Sequence, residues 1–474
     1  MENKLIHRMN VNGNLAVLDV NSGAVHLIDQ MVYDMLGVFD GENDSQVLEA
    51  LQDKYDKAEM EEVLEDLHGL KEQGLLFSPE FDVPGTFAEE PILKSLCLHV
   101  AHDCNLRCGY CFAGTGDFGG KRELMTAETG RKAVDFAIAG SKQRHNLEID
   151  LFGGEPLMNF GVVKEIINYA RKREKEANKN IKLTLTTNGT LLNDENIKFL
   201  NDNRVMLVLS LDGGKKMHDD MRPFPNKCGS YDAAVRGFKK VIDSRKGRNY
   251  YLRGTYTHFS RNFADETLEM LKVGRLISME PVVGTTEPYV LTEEDLPVLY
   301  KEYDKLAAAY LDLRHKGESF DFFHFNVALD NGPCVAKRLA GCGAGHEYYA
   351  ITPEGDIYPC HQFVGREQYK MGTLDTGVER KDLVKKFRNT HVMTKDACRQ
   401  CWARFFCSGG CHANADLING DITIPYEYGC KLQRKRLECA IVLQAILTDE
   451  AQAGEEDLRP VIDNFKFQVD GEKK

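Results

Sequence analysis

The fold is decided by residues 102–112, HDCNLRCGYCF, which follow the short apolar segment Leu96–Val100. The three cysteines of this stretch, Cys104, Cys108 and Cys111, have a Cx3Cx2C spacing. Three thiolates can hold three irons of a 4Fe–4S cube, because each iron takes one terminal ligand, and the fourth iron then stays open. A structural zinc ion usually takes four protein ligands, which three closely spaced cysteines do not supply. The spacing therefore favours an iron–sulfur cluster over zinc or three buried thiols.

Most of the remaining cysteines lie in the C-terminal third of the chain. Of the 14 cysteines in 474 residues, eight fall between residues 334 and 430. The N-terminus carries no signal-like apolar stretch, so clustered cysteines indicate metal ligands or catalytic thiols rather than disulfides. No segment approaches the roughly 20 apolar residues that span a bilayer. We therefore expect a cytoplasmic protein with no membrane contact.

The cysteine motif, with Tyr110 just before its third cysteine, resembles the radical S-adenosylmethionine (SAM) superfamily. A second motif, Gly153-Gly154-Glu155-Pro156, follows the next predicted strand. Alone it is typical of a turn, but its position after the three-cysteine loop makes it specific. The resemblance implies that the methionine part of SAM chelates the open iron. It also implies that the reduced cluster cleaves SAM and releases a 5′-deoxyadenosyl radical.

Strand and helix patterns alternate through the middle of the chain. The candidate strands are Ser95–Val100, Leu147–Phe152, Ile181–Thr186, Val205–Ser210, Tyr250–Thr257 and Ile277–Val283. The clearest helical patterns between them are Ala127–Ala139, Val162–Glu176 and Phe263–Val273. Six β-then-α units favour a parallel sheet with right-handed crossovers. They predict an α/β fold with a partial (β/α)6 radical SAM barrel over residues 86–320, whose chemistry lies at the C-terminal ends of its strands.

Polar residues do follow the predicted strands at those ends. By the resemblance, the residues that contact SAM are Tyr110, Gly153, Gly154, Glu155, Asn188, Ser210, Asp212 and Arg222. Glu155 is expected to accept a hydrogen bond from the ammonium group of SAM, and Tyr110 to approach its adenine. Arg253 could point into the barrel, which the sequence does not decide. His99 and His102 flank the cluster loop and are interpreted as packed core residues.

The C-terminal cysteines resemble the SPASM extension of radical SAM enzymes, which holds two auxiliary 4Fe–4S clusters. By that resemblance, the outer cluster takes Cys398, Cys401, Cys407 and Cys430. The inner cluster takes Cys342, Cys360 and Cys411, with Cys334 as a possible fourth ligand. If Cys334 is not a ligand, one iron stays open to the substrate. Zinc remains the alternative for the Cx2C pair taken alone. This SPASM domain is predicted to cover residues 321–474, with a hairpin turn at 352–356 and a helix at 432–447.

Residues 1–85 predict a small winged-helix-like domain. Two short strands, Leu15–Val20 and Ala24–Ile28, precede three helices, and Leu75–Phe77 could return as a strand. These residues carry 5 Lys and Arg against 18 Asp and Glu, the whole net charge of −13. This excess of acidic residues argues against DNA binding, since binding to phosphates needs a basic face. The order resembles the leader-peptide recognition domain of enzymes that modify ribosomally made peptides, although a structural cap remains open.

The order of the three domains resembles maturases that install thioether crosslinks in cysteine-rich ribosomal peptides, with the SCIFF (six cysteines in forty-five residues) maturases most similar. The resemblance implies three 4Fe–4S clusters, SAM, a precursor peptide whose basic leader docks on residues 1–85, and a flavodoxin or ferredoxin as electron donor. The product would join a cysteine sulfur to a carbon of an acceptor such as threonine. One alternative is a sulfatase-type maturase that oxidises cysteine to formylglycine. The other is a non-catalytic iron–sulfur electron carrier.

Overall fold

The structure is a computed structural model that describes residues 5–80, 91–285, 288–329 and 339–452. It has an α/β fold built on an 11-stranded, mostly parallel sheet, and a separate three-stranded sheet lies near the N-terminus. The predicted fold class is confirmed. The domain boundaries at residues 85 and 320 stay predictions, and the first of them falls outside the described residues.

The centre of the large sheet consists of the six predicted strands, which all pair in parallel. They are β4 Ser95–Ala101, β5 Asn146–Gly153, β6 Asn180–Thr187, β7 Val205–Ser210, β8 Tyr250–Tyr256 and β9 Leu276–Pro281. Every residue of β4 is buried, as expected for a strand covered on both faces. Neighbours in the sheet are also neighbours in the chain, so the C-terminal strand ends lie side by side.

Helices cover the outer face of this barrel. They are α4 Ala127–Gly140, α5 Phe160–Glu176, α6 Asp194–Asp202, α7 Lys215–Met221, α8 Tyr231–Ser244, α9 Phe263–Met270 and α10 Leu296–His315. Two of their starts are capped by side chains: Thr126 accepts from the backbone N–H of Thr129 at α4, and Asn193 accepts from that of Asn196 at α6. The helical patterns predicted for α4, α5 and α9 are confirmed within a few residues.

The sheet extends beyond the six predicted strands on both sides. β10 Asp321–Phe322 pairs in parallel with β9 after α10, so the β/α alternation continues past Phe320, where the sequence pattern had predicted its end. On the opposite edge, β11 Tyr348–Ile351 pairs in parallel with β4. The cysteine-rich C-terminal part therefore shares one sheet with the barrel.

The C-terminal part begins with short antiparallel strands and ends with a long helix. Its elements after β11 are β12 Asp356–Tyr358, β13 Gly372–Thr373, β14 Gly377–Val378, α11 Lys381–Asn389, α12 Asp396–Arg399, α13 Arg404–Cys407, α14 His412–Asn419 and α15 Glu427–Gln452. The predicted hairpin turn joins β11 and β12, with Ala350 opposite Tyr358. The helix predicted at 432–447 is confirmed as the centre of α15.

The N-terminal unit has three antiparallel strands followed by three helices. They are β1 Ile6–Val11, β2 Asn14–Asp19, β3 Val25–Leu27, α1 Gln30–Met35, α2 Asp44–Leu51 and α3 Lys57–Glu72. The predicted strand at 75–77 is wrong, and β1 was not predicted. Phe77 has a φ of 52° and packs edge-on against Phe39 at 5.4 Å, so this apolar run fills the core as a turn.

Within the described residues, no helix is both long enough and apolar enough to cross a membrane.

Candidate iron–sulfur and cofactor site

The three-cysteine loop leaves the C-terminal end of β4 and is held by backbone hydrogen bonds. Arg107 N–H donates to the Pro223 carbonyl at 2.8 Å, and Gly109 N–H donates to the Met221 carbonyl at 3.0 Å. Met221 is the last residue of α7, and Pro223 follows the helix directly. The loop is therefore placed across the open end of the barrel.

The thiols of this loop lie close enough to interact electrostatically. Burial, with smaller contributions from neighbouring cysteines, raises the pKa of Cys104 to about 11 and that of Cys108 to about 12. Burial likewise raises the pKa of Cys111. Thiolates that repel one another in a buried loop need a cation, and binding iron deprotonates a thiol. The three side chains fit an iron–sulfur cluster in this respect.

Gly153 and Gly154 lie against the same loop, where no side chain would fit. A Cβ on Gly153 would come within 2.3 Å of the Ala101 carbonyl oxygen, and one on Gly154 within 2.2 Å of the Asp103 carbonyl oxygen. Gly153 also has a φ of 131°. Glycine is needed at both positions, because only a bare backbone can pass this close to the cluster loop.

Glu155 differs from its predicted placement. Its side chain is buried and turned away from the cavity. One oxygen accepts from the Leu157 N–H at 3.0 Å and the Thr187 hydroxyl at 2.7 Å, and the other accepts from the Asn188 N–H at 2.7 Å. The structure therefore favours a positioning role, in which Glu155 joins the ends of β5 and β6, over the predicted direct contact with an ammonium group.

We expect Glu155→Gln to lower the free energy of unfolding by about 2 kcal/mol, since the amide turns a donor toward a buried N–H. Burial raises the pKa of Glu155 from 4.5 to about 7. The folded pKa is the higher one, so the wild-type advantage is fully present below pH 4.5 and declines as the pH rises through 7. Urea unfolding at several pH values measures this. Glu165→Gln, on the exposed side of α5, is the matched control.

Asp212 holds a second buried network behind the cavity wall. Its carboxylate accepts from the Tyr110 hydroxyl, from Arg222 Nε at 2.8 Å and from the Thr255 N–H at 2.9 Å. Burial acts to lower the pKa of Arg222, but Asp212, Tyr110 and Cys108 outweigh burial and raise it. Arg222 is thus a permanent cation, with its Nη1 4.0 Å from the Cys108 sulfur.

Asn188 and Ser210 lie at the ends of β6 and β7, as the sequence predicted. Asn188 Nδ2 donates to Asn105 Oδ1 at 2.9 Å, and its Oδ1 accepts from the Thr190 N–H at 3.1 Å. Ser210 lies beside Arg253 of β8 in the sheet register. Both predicted residues face the same open space as the cysteine loop.

These groups surround a cavity of about 670 Å³. The predicted residues that line it are Cys104, Cys108, Tyr110, Cys111, Gly153, Gly154, Asn188, Ser210 and Arg222. Glu155 and Asp212 are not among its lining residues and lie behind its wall. The opposite wall includes Cys342, Cys407, Cys411 and Cys430. One cavity therefore connects the three-cysteine loop with the C-terminal cysteines.

Electrostatic interactions connect the C-terminal cysteines in two sets of near neighbours. Cys342 and Cys411 both raise the pKa of Cys360, after burial as the main cause. Around the second set, burial raises the pKa of Cys430 to about 12, and Cys407 and Cys398 add to it. The ligand assignments themselves stay predictions, and Cys334 lies outside the described residues.

The described side chains contain no group of three His, Cys, Asp or Glu that converges on a single metal ion.

Comparison with known proteins agrees with this arrangement. Residues 98–271 match the model of the radical SAM superfamily, and residues 342–402 match the SPASM iron–sulfur cluster-binding domain. The chain has a radical SAM core and a SPASM domain. The chain is similar to radical SAM enzymes that include sulfatase maturases, and the two matched domains imply 4Fe–4S clusters and SAM.

Three relatives illustrate the likeness. A cysteine-type anaerobic sulfatase-maturating enzyme of Clostridium novyi is 26% identical over 347 residues, covering 68% of this chain and 90% of the relative. The structure of native anSMEcpe with bound AdoMet has a TM-score of 0.60 at 20% identity, covering 74% of this chain and 99% of that one. Streptococcus suis SuiB bound to precursor peptide SuiA has a TM-score of 0.50 at 15% identity, with 87% and 95% covered.

Sequence reasoning left Arg253 undecided and missed two further charged residues of the radical SAM cavity. Arg253 lies on β8 and lines the cavity, together with Glu280 of β9 and Arg436 of α15. Glu280 could have been found from the sequence, because a charged residue at the end of a predicted barrel strand is a candidate site residue. Arg436 lies far away in sequence on α15, among several other charged residues, and no local sequence pattern places it at the cavity.

The N-terminal unit contacts the segment that carries the outer cysteines of the SPASM domain. His7 of β1 stacks on Trp402, with ring centroids 3.9 Å apart, and its Nε2 lies 2.9 Å from Glu438 of α15. Arg404 donates to the side chain of Asn21. Residues 5–80 are therefore packed directly beside Cys401 and Cys407.

His99 and His102 lie in the core beside the loop, as interpreted from the sequence. Their rings are 3.0 Å apart, between His99 Nδ1 and His102 Nε2, and both pack on Phe118. Burial lowers the pKa of both residues, which suits neutral packed rings.

Proposed function

We propose that this enzyme installs intramolecular thioether crosslinks in a cysteine-rich, ribosomally made peptide of the SCIFF type, joining a cysteine sulfur to a carbon of an acceptor such as threonine. The observation that carries the proposal is the shared cavity: the three-cysteine loop and the inner-cluster candidates Cys342 and Cys411 face the same space. Hydrogen abstraction at carbon and delivery of sulfur to that carbon require such proximity.

The radical chemistry comes from SAM and its 4Fe–4S cluster, which supply a 5′-deoxyadenosyl radical when both are bound. The residues of the chain itself bind the ligand and orient it. The bare backbone of Gly153 and Gly154 lets a ligand approach the loop, and Arg222 presents a permanent cation to a carboxylate. Asp212 keeps that guanidinium in place from behind, and Glu155 does the same for the turn that carries Asn188.

The opposite wall would receive the sulfur. We assign Cys342, Cys360 and Cys411 to an inner cluster, with Cys334 as a candidate fourth ligand, and the remaining four cysteines to an outer cluster. This makes three clusters with the one at Cys104, Cys108 and Cys111. A low-potential flavodoxin or ferredoxin would serve as electron donor, and the auxiliary sites would take the electron released on bond formation.

Residues 1–85 would bind the leader of the peptide as an added strand. Three features support this: the strong negative charge of the unit, the edge position of β3, and the extent of the SuiB match. Residues 86–474 make up 389 of 474 residues, or 82% of the chain, whereas the match covers 87%. The match must therefore include part of residues 1–85. The negative charge of residues 1–85 would favour a leader that carries Lys or Arg.

The edge of β3 offers a sharp test. Asp19 N–H donates to the Ala24 carbonyl and Ile28 N–H to the Leu15 carbonyl, so Val25 and Leu27 direct their N–H groups away from β2. Leu27→Pro removes one outward donor and leaves the β2 ladder intact. We expect it to weaken leader binding about tenfold while SAM cleavage is unchanged. Fluorescence anisotropy of a labelled leader measures this, and unchanged affinity would contradict the edge model.

A matched control uses the exposed leucine side chain without touching the backbone. Leu27→Ala keeps both edge hydrogen-bonding groups, so most of the leader affinity should remain. Deletion of residues 1–85 is a less specific test of leader binding than the Leu27 variants. It would also uncover Trp402 and Arg404 beside the outer cysteines.

The product is tested by co-expression with a cysteine-rich peptide, followed by mass spectrometry after thiol alkylation. A thioether maturase removes two hydrogens per linkage, and each linked cysteine resists alkylation. Modification of a cysteine with loss of its sulfur would instead support formylglycine formation. That second function is favoured by one observation, the 26% identity to the C. novyi sulfatase-maturating enzyme over 68% of the chain.

A further inference from the structure

The cavity wall formed by β8, β9 and α15 carries charges that none of the proposed steps uses. Arg253 of β8, Glu280 of β9 and Arg436 of α15 all line the cavity. Arg253 lies opposite Ser278 in the strand register, and Glu280 lies two residues further along β9. The Arg253 and Glu280 side chains therefore lie on the strands that follow Ser210 in the sheet, next to the space that a peptide would enter.

Glu280 is fully engaged by its neighbours. Its carboxylate accepts from Arg436 Nη1 at 3.0 Å and lies 3.3 Å from His324 Nε2. Burial acts to raise the pKa of Glu280, but His324, Arg436 and Arg253 outweigh burial and lower it. A carboxylate held ionised in this way is a poor general base. Its role is to hold the guanidinium group of Arg436 in place.

Arg253 is different, because its side chain is exposed to the cavity. The hydrogen bonds and ion pairs among the described residues include none from its guanidinium. The cavity lining contains three arginines and a single carboxylate, Glu280. Arg222 has Asp212 behind the wall, and Arg436 has Glu280. Arg253 is left as the cation of the wall without a carboxylate of its own.

We propose that Arg253 binds a carboxylate group of the substrate peptide and thereby selects peptides that carry an acidic group close to the modified cysteine. A guanidinium on a rigid strand presents a planar pair of donors, which matches a carboxylate in a bidentate geometry. The proposal rests on the proposed function only in that the cavity receives a peptide. The carboxylate belongs either to an Asp or Glu side chain or to the C-terminus of the peptide.

The experiment uses the anaerobic, cluster-loaded enzyme with SAM present, and measures binding by calorimetry. The probes are acetyl-Cys-Gly-Glu-amide, acetyl-Cys-Gly-Gln-amide and acetyl-Cys-Gly-Gly with a free C-terminus. We expect the wild type to bind the Glu peptide about tenfold more tightly than the Gln peptide, as for a charge-assisted pair in a partly enclosed site. A preference for the free acid instead assigns the contact to a C-terminal carboxylate.

Variants of Arg253 connect this preference to the residue. Arg253→Gln should abolish the Glu preference and leave SAM affinity unchanged, whereas Arg253→Lys should retain part of the preference. Arg236→Gln, an exposed arginine on α8, is the matched control and should keep both properties. Iron content and the visible spectrum establish that each variant is loaded and folded.

Two results overturn the proposal. One is a wild-type enzyme that binds all three peptides equally. The other is an Arg253→Gln variant that loses SAM affinity but keeps the Glu preference, which would assign Arg253 to the carboxylate of SAM. Failure of the proposed function is separate, since it is read from the product by mass spectrometry. An enzyme that makes no thioether can still show the Glu preference.

Discussion

Replacing Cys104, Cys108 and Cys111 together with serine is expected to abolish the formation of 5′-deoxyadenosine from SAM after dithionite reduction. The reason is coordination chemistry: serine does not replace a thiolate on iron, so the site that cleaves SAM is not assembled. If the chain holds the two proposed auxiliary clusters, the iron content is expected to fall by about one third, because their cysteines are unchanged. Chromatography of the nucleoside products and iron analysis of the same sample measure the two effects.

Cys228→Ser provides the matched control for the triple variant. Cys228 is exposed and belongs to none of the three cysteine groups, so iron content and SAM cleavage should remain at the wild-type level. Nucleoside formation by the triple variant would refute the assignment of the loop. A wild-type protein without any SAM cleavage would instead support the electron-carrier alternative.

Asp212→Asn is expected to lower the free energy of unfolding by about 3 kcal/mol, because it leaves the buried Arg222 without a carboxylate. Asp212 is fully buried and accepts three hydrogen bonds, from Tyr110, Arg222 and Thr255. SAM affinity should fall as well, since Arg222 is no longer held at the cavity wall. Denaturant unfolding of the apoprotein and SAM binding to the loaded enzyme measure the two consequences.

Two further variants distinguish positioning from simple loss of charge. Asp220→Asn, on the exposed side of the nearby helix α7, should cost less than about 0.5 kcal/mol. Replacing both partners, as in Asp212→Asn with Arg222→Met, should recover most of the stability but not the SAM affinity. Equal stability of Asp212→Asn and wild type would show that the network does not hold Arg222.

The elements of the barrel were predictable because strand and helix periods differ strongly, and each β4–β9 strand has an apolar core pattern between turn residues. Spacing alone indicated that close pairs such as Cys398 and Cys401 lie near each other, whereas the grouping of distant cysteines came from the family resemblance and stays a prediction. The strand wrongly predicted at 75–77 shows the limit. A short apolar run fits a strand and a core-filling turn equally well, and only the packing of Phe77 on Phe39 decides.

The direction of individual polar side chains could not be predicted. Motif position indicated that Glu155 and Asp212 belong to the site, but not that both lie behind its wall, because that depends on the hydrogen-bond partners supplied by other strands. Arg436 approaches from a helix more than 150 residues beyond Glu280, a contact that no local pattern contains. Long-range convergence of this kind requires the folded structure.

The parallel pairing of β11 with β4 has a practical consequence for engineering. A hybrid maturase that exchanges the C-terminal half at a border before β11 must rebuild a ladder between two different parents, directly beneath the three-cysteine loop. Mispairing there would displace both halves at once. Productive hybrids should instead retain β4, β11 and β12 from a single parent and vary the part of α15 that lines the cavity near Arg436.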